Sequence, residues 1–476
     1  MFEPNLKMST STKLRTCVIK PLLASICLLI TLEPAAAQSN PNPASEELLN
    51  GLRVLFWPKP GSTDVLVKLR IHSGSSFDLA GKSGEMALLG DILFPNPETN
   101  EFFTEQVGGK LHVAVNYDSI TITMAGKADQ LNNILDVLRN AILSTQLTPD
   151  IVERVREARV KLVEDAAVSP AVIADRALAA RLFDNFPYGR PSGGSPEDLK
   201  RVGRGDLMLA RERFLNSNNA TLAISGGITQ AKVVRTLKQL FGPWRRSEEI
   251  VPATFSAAPT PDPRTLIVDN PGTSVEVRVG LRGVARSDKD FHALKVLTRV
   301  MQNRWPELNP AIAGKPSFVR SESYLLPGSV VMGTTVSPQS TAEVITSAKK
   351  VLEAMITTPV TVSEIEKAKQ GVILDLTTQT PRSEVEVQEW LDMYTYRLKT
   401  AQDNVGLVQT VTPGDLQRVA SRLFKDARLA TVVVGDAQVL KTALQGQLPF
   451  EVLGETPEKA MPTKPATKPS QTNAPD

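Results

Sequence analysis

An internal repeat limits this chain to folds that one unit can build twice. Residues 64–75, DVLVKLRIHSGS, return 210 positions later as SVEVRVGLRGVA. Residues 204–228, RGDLMLARERFLNSNNATLAISGGI, return at an offset of 209 as PGDLQRVASRLFKDARLATVVVGDA. Between these landmarks, LTPDIVERVREARVKL from Leu147 and VTVSEIEKAKQGVILDL from Val360 read as equivalent helices. Thr148 stands as N-cap of the first, and Pro149, whose fixed φ suits a first helical turn, follows it. Three landmarks in the same order imply two domains of one topology.

Local patterning gives the class of that topology. Leu111, Val113 and Val115, then Ile120, Ile122 and Met124, alternate with polar residues, as in strands with one buried face. Leu131, Ile134, Leu135, Leu138 and Ile142 recur at i, i+3, i+4 between Gln130 and Leu143, the stripe of a helix laid on such a face. The expected class is α+β, two homologous domains, each a mainly antiparallel sheet covered by helices. The first domain is expected over 46–246 and the second over 264–449. The Pro/Ala/Thr-rich stretch 247–263 suits an extended linker, and the low-complexity segment 450–476 reads as a disordered tail.

The N-terminus reads as an export signal. Lys7, Lys13, Arg15 and Lys20 precede an apolar run from Pro21 to Leu32, then Pro34 and Ala35 to Ala37. That run is shorter than the ~20 residues a membrane span needs. A signal peptide over 1–37 and a polar leader over 38–45 would place the mature chain in the periplasm or outside the cell, with no membrane span left. Both cysteines, Cys17 and Cys27, would leave with the signal, which removes disulfides, thiolate ligands and a cysteine nucleophile together. A formal charge of +3 gives no electrostatic footprint for nucleic acid.

Several strings, in order, resemble the insulinase/pitrilysin family of zinc metallopeptidases, which includes the mitochondrial processing peptidase. SGSSFDLAGKSGEMALLGDILF resembles its opening strand, loop and metal-binding helix, and EQVGGKLHVAVNYDSITI its Gly-Gly turn and strand pair. NFPYGRPSGGSPEDLKRV resembles its Pro-Tyr-Gly-Arg-Pro loop, and VDNPGTSVEVRVGLRGVARSDKDFHALKVLTRVM the segment that opens its second domain. The resemblance implies a helix bearing HxxEH, whose histidines hold zinc and whose glutamate activates a metal-bound water. On GEMALLGDILF the first histidine falls at Ala87, the glutamate at Gly90 and the second histidine at Asp91. A third ligand, a glutamate on a later helix, falls near Lys161. The family's substrate-holding tyrosine falls at Phe318, with Arg320 and Tyr324 nearby but out of register. No catalytic residue and no cofactor are therefore expected.

Other residues give no clear replacement. The three histidines, His72, His112 and His292, include no pair at i, i+4. Glu85, Asp91, Glu157 and Glu164 would suit a hard cation if their helices crowd them together, and solvated helix faces otherwise. His72 and Ser73 are adjacent in a predicted strand and should point to opposite faces. Ser192 to Ser195, SGGS, reads as an anion-binding nest or a plain loop. Two functions follow. One is a non-catalytic subunit that pairs with an HxxEH-bearing homologue to enclose peptides. The other is a free-standing peptide-binding or scaffolding protein; an enzyme with a relocated metal is a distant third.

Overall fold

The computed structural model describes residues 42–378 and 381–454; the expected signal peptide, half of the leader and most of the tail lie outside them. In the first half, strands β1 (Ala44–Glu47), β2 (Arg53–Pro58), β3 (Asp64–Ile71), β4 (Lys110–Val115), β5 (Ile120–Lys127) and β6 (Ala220–Gly226) form one sheet in the order β1-β2-β6-β3-β5-β4. Helices α1 (Glu85–Asp91), α2 (Glu98–Glu105), α3 (Leu131–Arg139) and α4 (Pro149–Ala167) come from the same half. So do α5 (Pro170–Phe183), α6 (Pro196–Arg201), α7 (Arg204–Phe214) and α8 (Gln230–Phe241).

The second half builds its sheet from β7 (Thr265–Asp269), β8 (Val275–Arg282), β9 (Ser317–Glu322), β10 (Ser329–Val336), β11 (Ala430–Gly435) and β12 (Phe450–Val452). Their order is β12-β7-β11-β8-β10-β9. Its helices are α9 (Phe291–Leu308), α10 (Thr341–Thr357), α11 (Val362–Thr378) and α12 (Arg382–Thr395). Three more follow: α13 (Asn404–Thr410), α14 (Pro413–Phe424) and α15 (Ala437–Leu444).

Five strands of one sheet therefore map onto five of the other, and both sheets are antiparallel apart from pairings at one end. The sixth strand differs. β1 pairs antiparallel with β2 and comes from the start of the described chain, whereas β12 pairs parallel with β7 and comes from its end. The second sheet thus reaches Val452, past the Pro449 expected from sequence, because Phe450, Glu451 and Val452 take backbone partners on β7. β1 likewise begins inside the expected leader.

Repeated residues do repeated work. In α7 and α14 the aspartate of the Gly-Asp pair sits in the first turn and accepts the amide that precedes the helix, Gly203 N to Asp206 at 2.9 Å and Thr412 N to Asp415 at 3.0 Å. Each sheet packs one face on its own helices, giving two large apolar cores. The other face is covered by a helix from the opposite half. Leu178 and Leu182 of α5 lie on Val432 and Val434 of β11, and Val387 and Leu391 of α12 lie on Leu55, Trp57 and Ala223. A Cβ at Gly280 of β8 would stand 2.9 Å from Leu178, so glycine there lets α5 settle on the sheet.

The exchange carries matched ion pairs. Lys68 of β3 meets Glu384 of α12 at 2.7 Å, and its repeat counterpart Arg278 of β8 meets Asp175 of α5 at 2.6 Å. The residues from Pro43 to Gly454 form one compact unit. Residues 250–263 form no helix or strand, and the segment is anchored: the Phe255 ring packs between Phe77 and Phe186 at 5.9 and 6.0 Å, and Arg282 donates to Ala258 O at 3.1 Å. No described helix is long and apolar enough to cross a membrane.

Candidate functional site

Helix α1 is held from both ends. At its start Gly84 is left-handed with φ +97°, and a Cβ there would stand 2.8 Å from Gly194 Cα. The SGGS stretch is thus a loop whose glycines press backbone against backbone. Asp78 accepts hydrogen bonds from Gly84 N at 2.7 Å and Met86 N at 2.8 Å, satisfying amides at the start of the helix. Burial lifts the Asp78 carboxyl to about 7, against the pull of those two amides. Arg190, from the Pro-Tyr-Gly-Arg-Pro loop, donates to Asp78 O at 3.0 Å.

At the other end, Asp91 is gripped by Arg159 of α4, whose Nε and Nη2 reach the two carboxylate oxygens at 2.7 and 2.5 Å. Burial raises the Asp91 carboxyl above its ordinary range, and the guanidinium only partly offsets it. Gly90 faces β4: a Cβ there would stand 2.7 Å from Val115 Cγ2 and 3.4 Å from Val113 Cγ1. Ala87 is buried, 1% exposed. Lys161 is exposed and turns away to an open cleft of about 360 Å³, shared with Glu157, Glu164 and Lys200. Glu85 instead accepts from Leu79 N at 3.1 Å. The four carboxylates do not converge, and among the described residues no three His, Cys, Asp or Glu side chains are placed to hold a metal.

The histidines are also apart. His72 lies just past the end of β3, with Nδ1 3.0 Å from Thr395 Oγ1 of α12 and Nε2 2.9 Å from Thr221 Oγ1. Thr395 spends its own proton on Leu391 O at 3.0 Å, so Nδ1 carries the imidazole proton and Nε2 accepts. Burial, then Arg70 and Arg53, lower its pKa to about 3. Ser73 takes a different partner, Asn219, at 3.1 Å. His112 is exposed on β4, and His292 of α9 meets Asn404 at 3.0 Å.

Where the halves meet, Tyr117, Tyr188 and Tyr324 form a triangle with ring centroids 4.8 to 5.0 Å apart. Asp118 accepts Leu325 N at 2.9 Å and the Tyr188 hydroxyl at 3.3 Å, while Leu326 N donates to that hydroxyl at 3.1 Å. First-half side chains thus clasp two consecutive amides of the second half, and burial lifts Asp118 to about 6. Phe318 lies across Gly333 of β10, with Arg278 at 5.1 Å and Arg320 at 4.7 Å over its ring. Asp175 of α5 ties down both arginines, at 2.6 and 3.1 Å.

Residues 53–195 match the description "Insulinase (Peptidase family M16)", and residues 201–372 match "Peptidase M16 inactive domain". The chain belongs to the insulinase family. The mitochondrial-processing peptidase subunit beta of Caenorhabditis elegans is 24% identical over 422 residues, 82% of this chain and 89% of that protein. An uncharacterized zinc protease of Mycobacterium bovis is 24% identical over 273 residues, 56% of this chain and 61% of that one. The solved structure of a protease from Helicobacter pylori shares the fold with a TM-score of 0.75 at 19% identity, covering 83% of this chain and 100% of that chain.

The metal implied by the insulinase family does not fit these residues. A zinc site needs three protein donors with one position open. Here Ala87 offers a methyl group and Gly90 no side chain. The one carboxylate, Asp91, is already engaged by a guanidinium whose charge would repel a cation. Arg159 is the residue that faces Asp91, two positions before Lys161, near which the resemblance puts the third ligand. Nothing local to Arg159 marks it, since only the packing of α4 on α1 brings it there. Tyr324 was visible as a tyrosine near Phe318, but its partnership with Tyr117 and Tyr188 crosses the two halves.

Proposed function

We propose that this insulinase-family chain is a non-catalytic, exported subunit that pairs with an HxxEH-bearing homologue and helps enclose peptide substrates. The observation that carries the reading is α1 itself: Gly90, which aligns with the family's general base, packs on Val115, and Asp91, which aligns with its second histidine, is bound by the Arg159 guanidinium. A related protein, the nematode processing peptidase, is named as a subunit, which favours a partnered role. The export reading rests on the charged, apolar and small-residue order of residues 1–37.

Two measurements test it. Elemental analysis of the purified chain should find no stoichiometric zinc, and the chain alone should cleave no unstructured peptide. Mixed with the HxxEH-bearing homologue of its own source, it should co-elute as a heterodimer and yield peptide cleavage absent from either chain alone. Stoichiometric zinc with chelator-sensitive activity would overturn the proposal. A stable monomer or homodimer that binds peptide and ignores the homologue would favour the free-standing binding protein.

A further inference from the structure

The outermost strands of the two sheets are held differently. In the second half, α9 reaches the free side of β9: Lys295 Nζ donates to Ser321 O at 2.7 Å, and Gln302 meets Ser317 O and Val319 N, each at 3.5 Å. In the first half, no side chain hydrogen-bonds to the β4 backbone among the described residues, and Lys110, His112 and Ala114 are exposed. β4 is held by β5 along one edge and meets α2 and α1 through its packing, with Gly90 of α1 seated on Val113 and Val115. Helix α1 has only seven residues, so its own hydrogen bonds do little to fix it. Its C-terminal end is tied down by Asp91, through both oxygens, to the 19-residue α4.

We infer that Arg159, Asp91 and Gly90 form a metal-free brace that positions the edge strand β4. Arg159 draws α1 toward α4 by a bidentate ion pair, a geometry that fixes orientation as well as distance. The missing side chain at Gly90 lets the helix then lie directly on the strand. Two of the three positions aligned with the lost catalytic groups of α1 therefore have new work. Putting the ligands back would push α1 off β4 before it recruited a metal. The inference rests on packing within this chain and needs neither the proposed partner nor a peptide.

Hydrogen exchange on the full chain tests it. Replacing the pair with neutral side chains, Asp91→Asn with Arg159→Gln, should speed exchange of the β4 amides bonded to β5 by about tenfold, leaving β8 and β10 unchanged. The reversed pair, Asp91→Arg with Arg159→Asp, should recover slow exchange. Unchanged β4 exchange in the neutral variant, or a reversed pair as fast as the neutral one, would overturn the brace. A ligand-restored chain, Ala87→His, Gly90→Glu, Asp91→His and Arg159→Glu, titrated with zinc chloride, should show no thermal shift. Stoichiometric zinc with β4 still protected would also overturn it, and if that variant does not fold, the neutral and reversed pairs decide the matter.

Discussion

At Gly90 two preferences oppose each other. Glycine inside a helix costs about 1 kcal/mol relative to alanine, so propensity alone favours substitution. A Cβ would nevertheless stand 2.7 Å from Val115 Cγ2, and overpacking of this kind costs roughly 1–3 kcal/mol. Gly90→Ala should therefore lower stability by about 1 kcal/mol in chemical denaturation, and a stabilised variant would mean that β4 yields easily. His72 gives a pH signature. Its folded pKa, about 3, lies below the unfolded value of 6.5, so its contribution is fully present above pH 6.5 and is lost as pH falls toward 3. From pH 7 to 5 the parent should lose about 1–2 kcal/mol relative to His72→Gln, read from paired urea titrations. The absent zinc ligands were legible in the sequence because three histidines without an i, i+4 pair cannot make HxxEH. The grip of Arg159 on Asp91 was not, because it depends on how two helices cross.

Elements carry the next level of evidence. The repeat made the shared strands and helices legible, down to the matching Gly-Asp helix starts. It did not say that α5 and α12 each cover the sheet of the other half, since an apolar helix face does not name the surface that takes it. The sixth strands escaped for a related reason: β1 and β12 share no sequence pattern and occupy corresponding edges from opposite ends of the chain. The exchanged helices should be costly to weaken. Leu178, 2% exposed against the second sheet, should cost about 2–4 kcal/mol on truncation to alanine, measured by chemical denaturation. Lys68→Met should cost about 1–3 kcal/mol, because it strands Glu384 without its buried partner, and adding Glu384→Gln should recover part of that loss.

At the scale of the whole molecule, the two halves are joined more by packing than by the chain between them. Phe255 pins the linker to the first half and Arg282 pins it to the second, while the helix exchange and the Asp118 clasp hold the halves directly. A protease site introduced between residues 247 and 252 and then cut should leave the halves co-eluting on gel filtration; separation under native conditions would show that the covalent link carries the assembly. The exchange also sets an order on synthesis. The sheet face that holds Trp57 is closed by Trp390 and Leu391 of α12, so the first half emerges from the ribosome with that face bare. That face stays open until α12, encoded in the second half of the repeat, has been made and can settle on it.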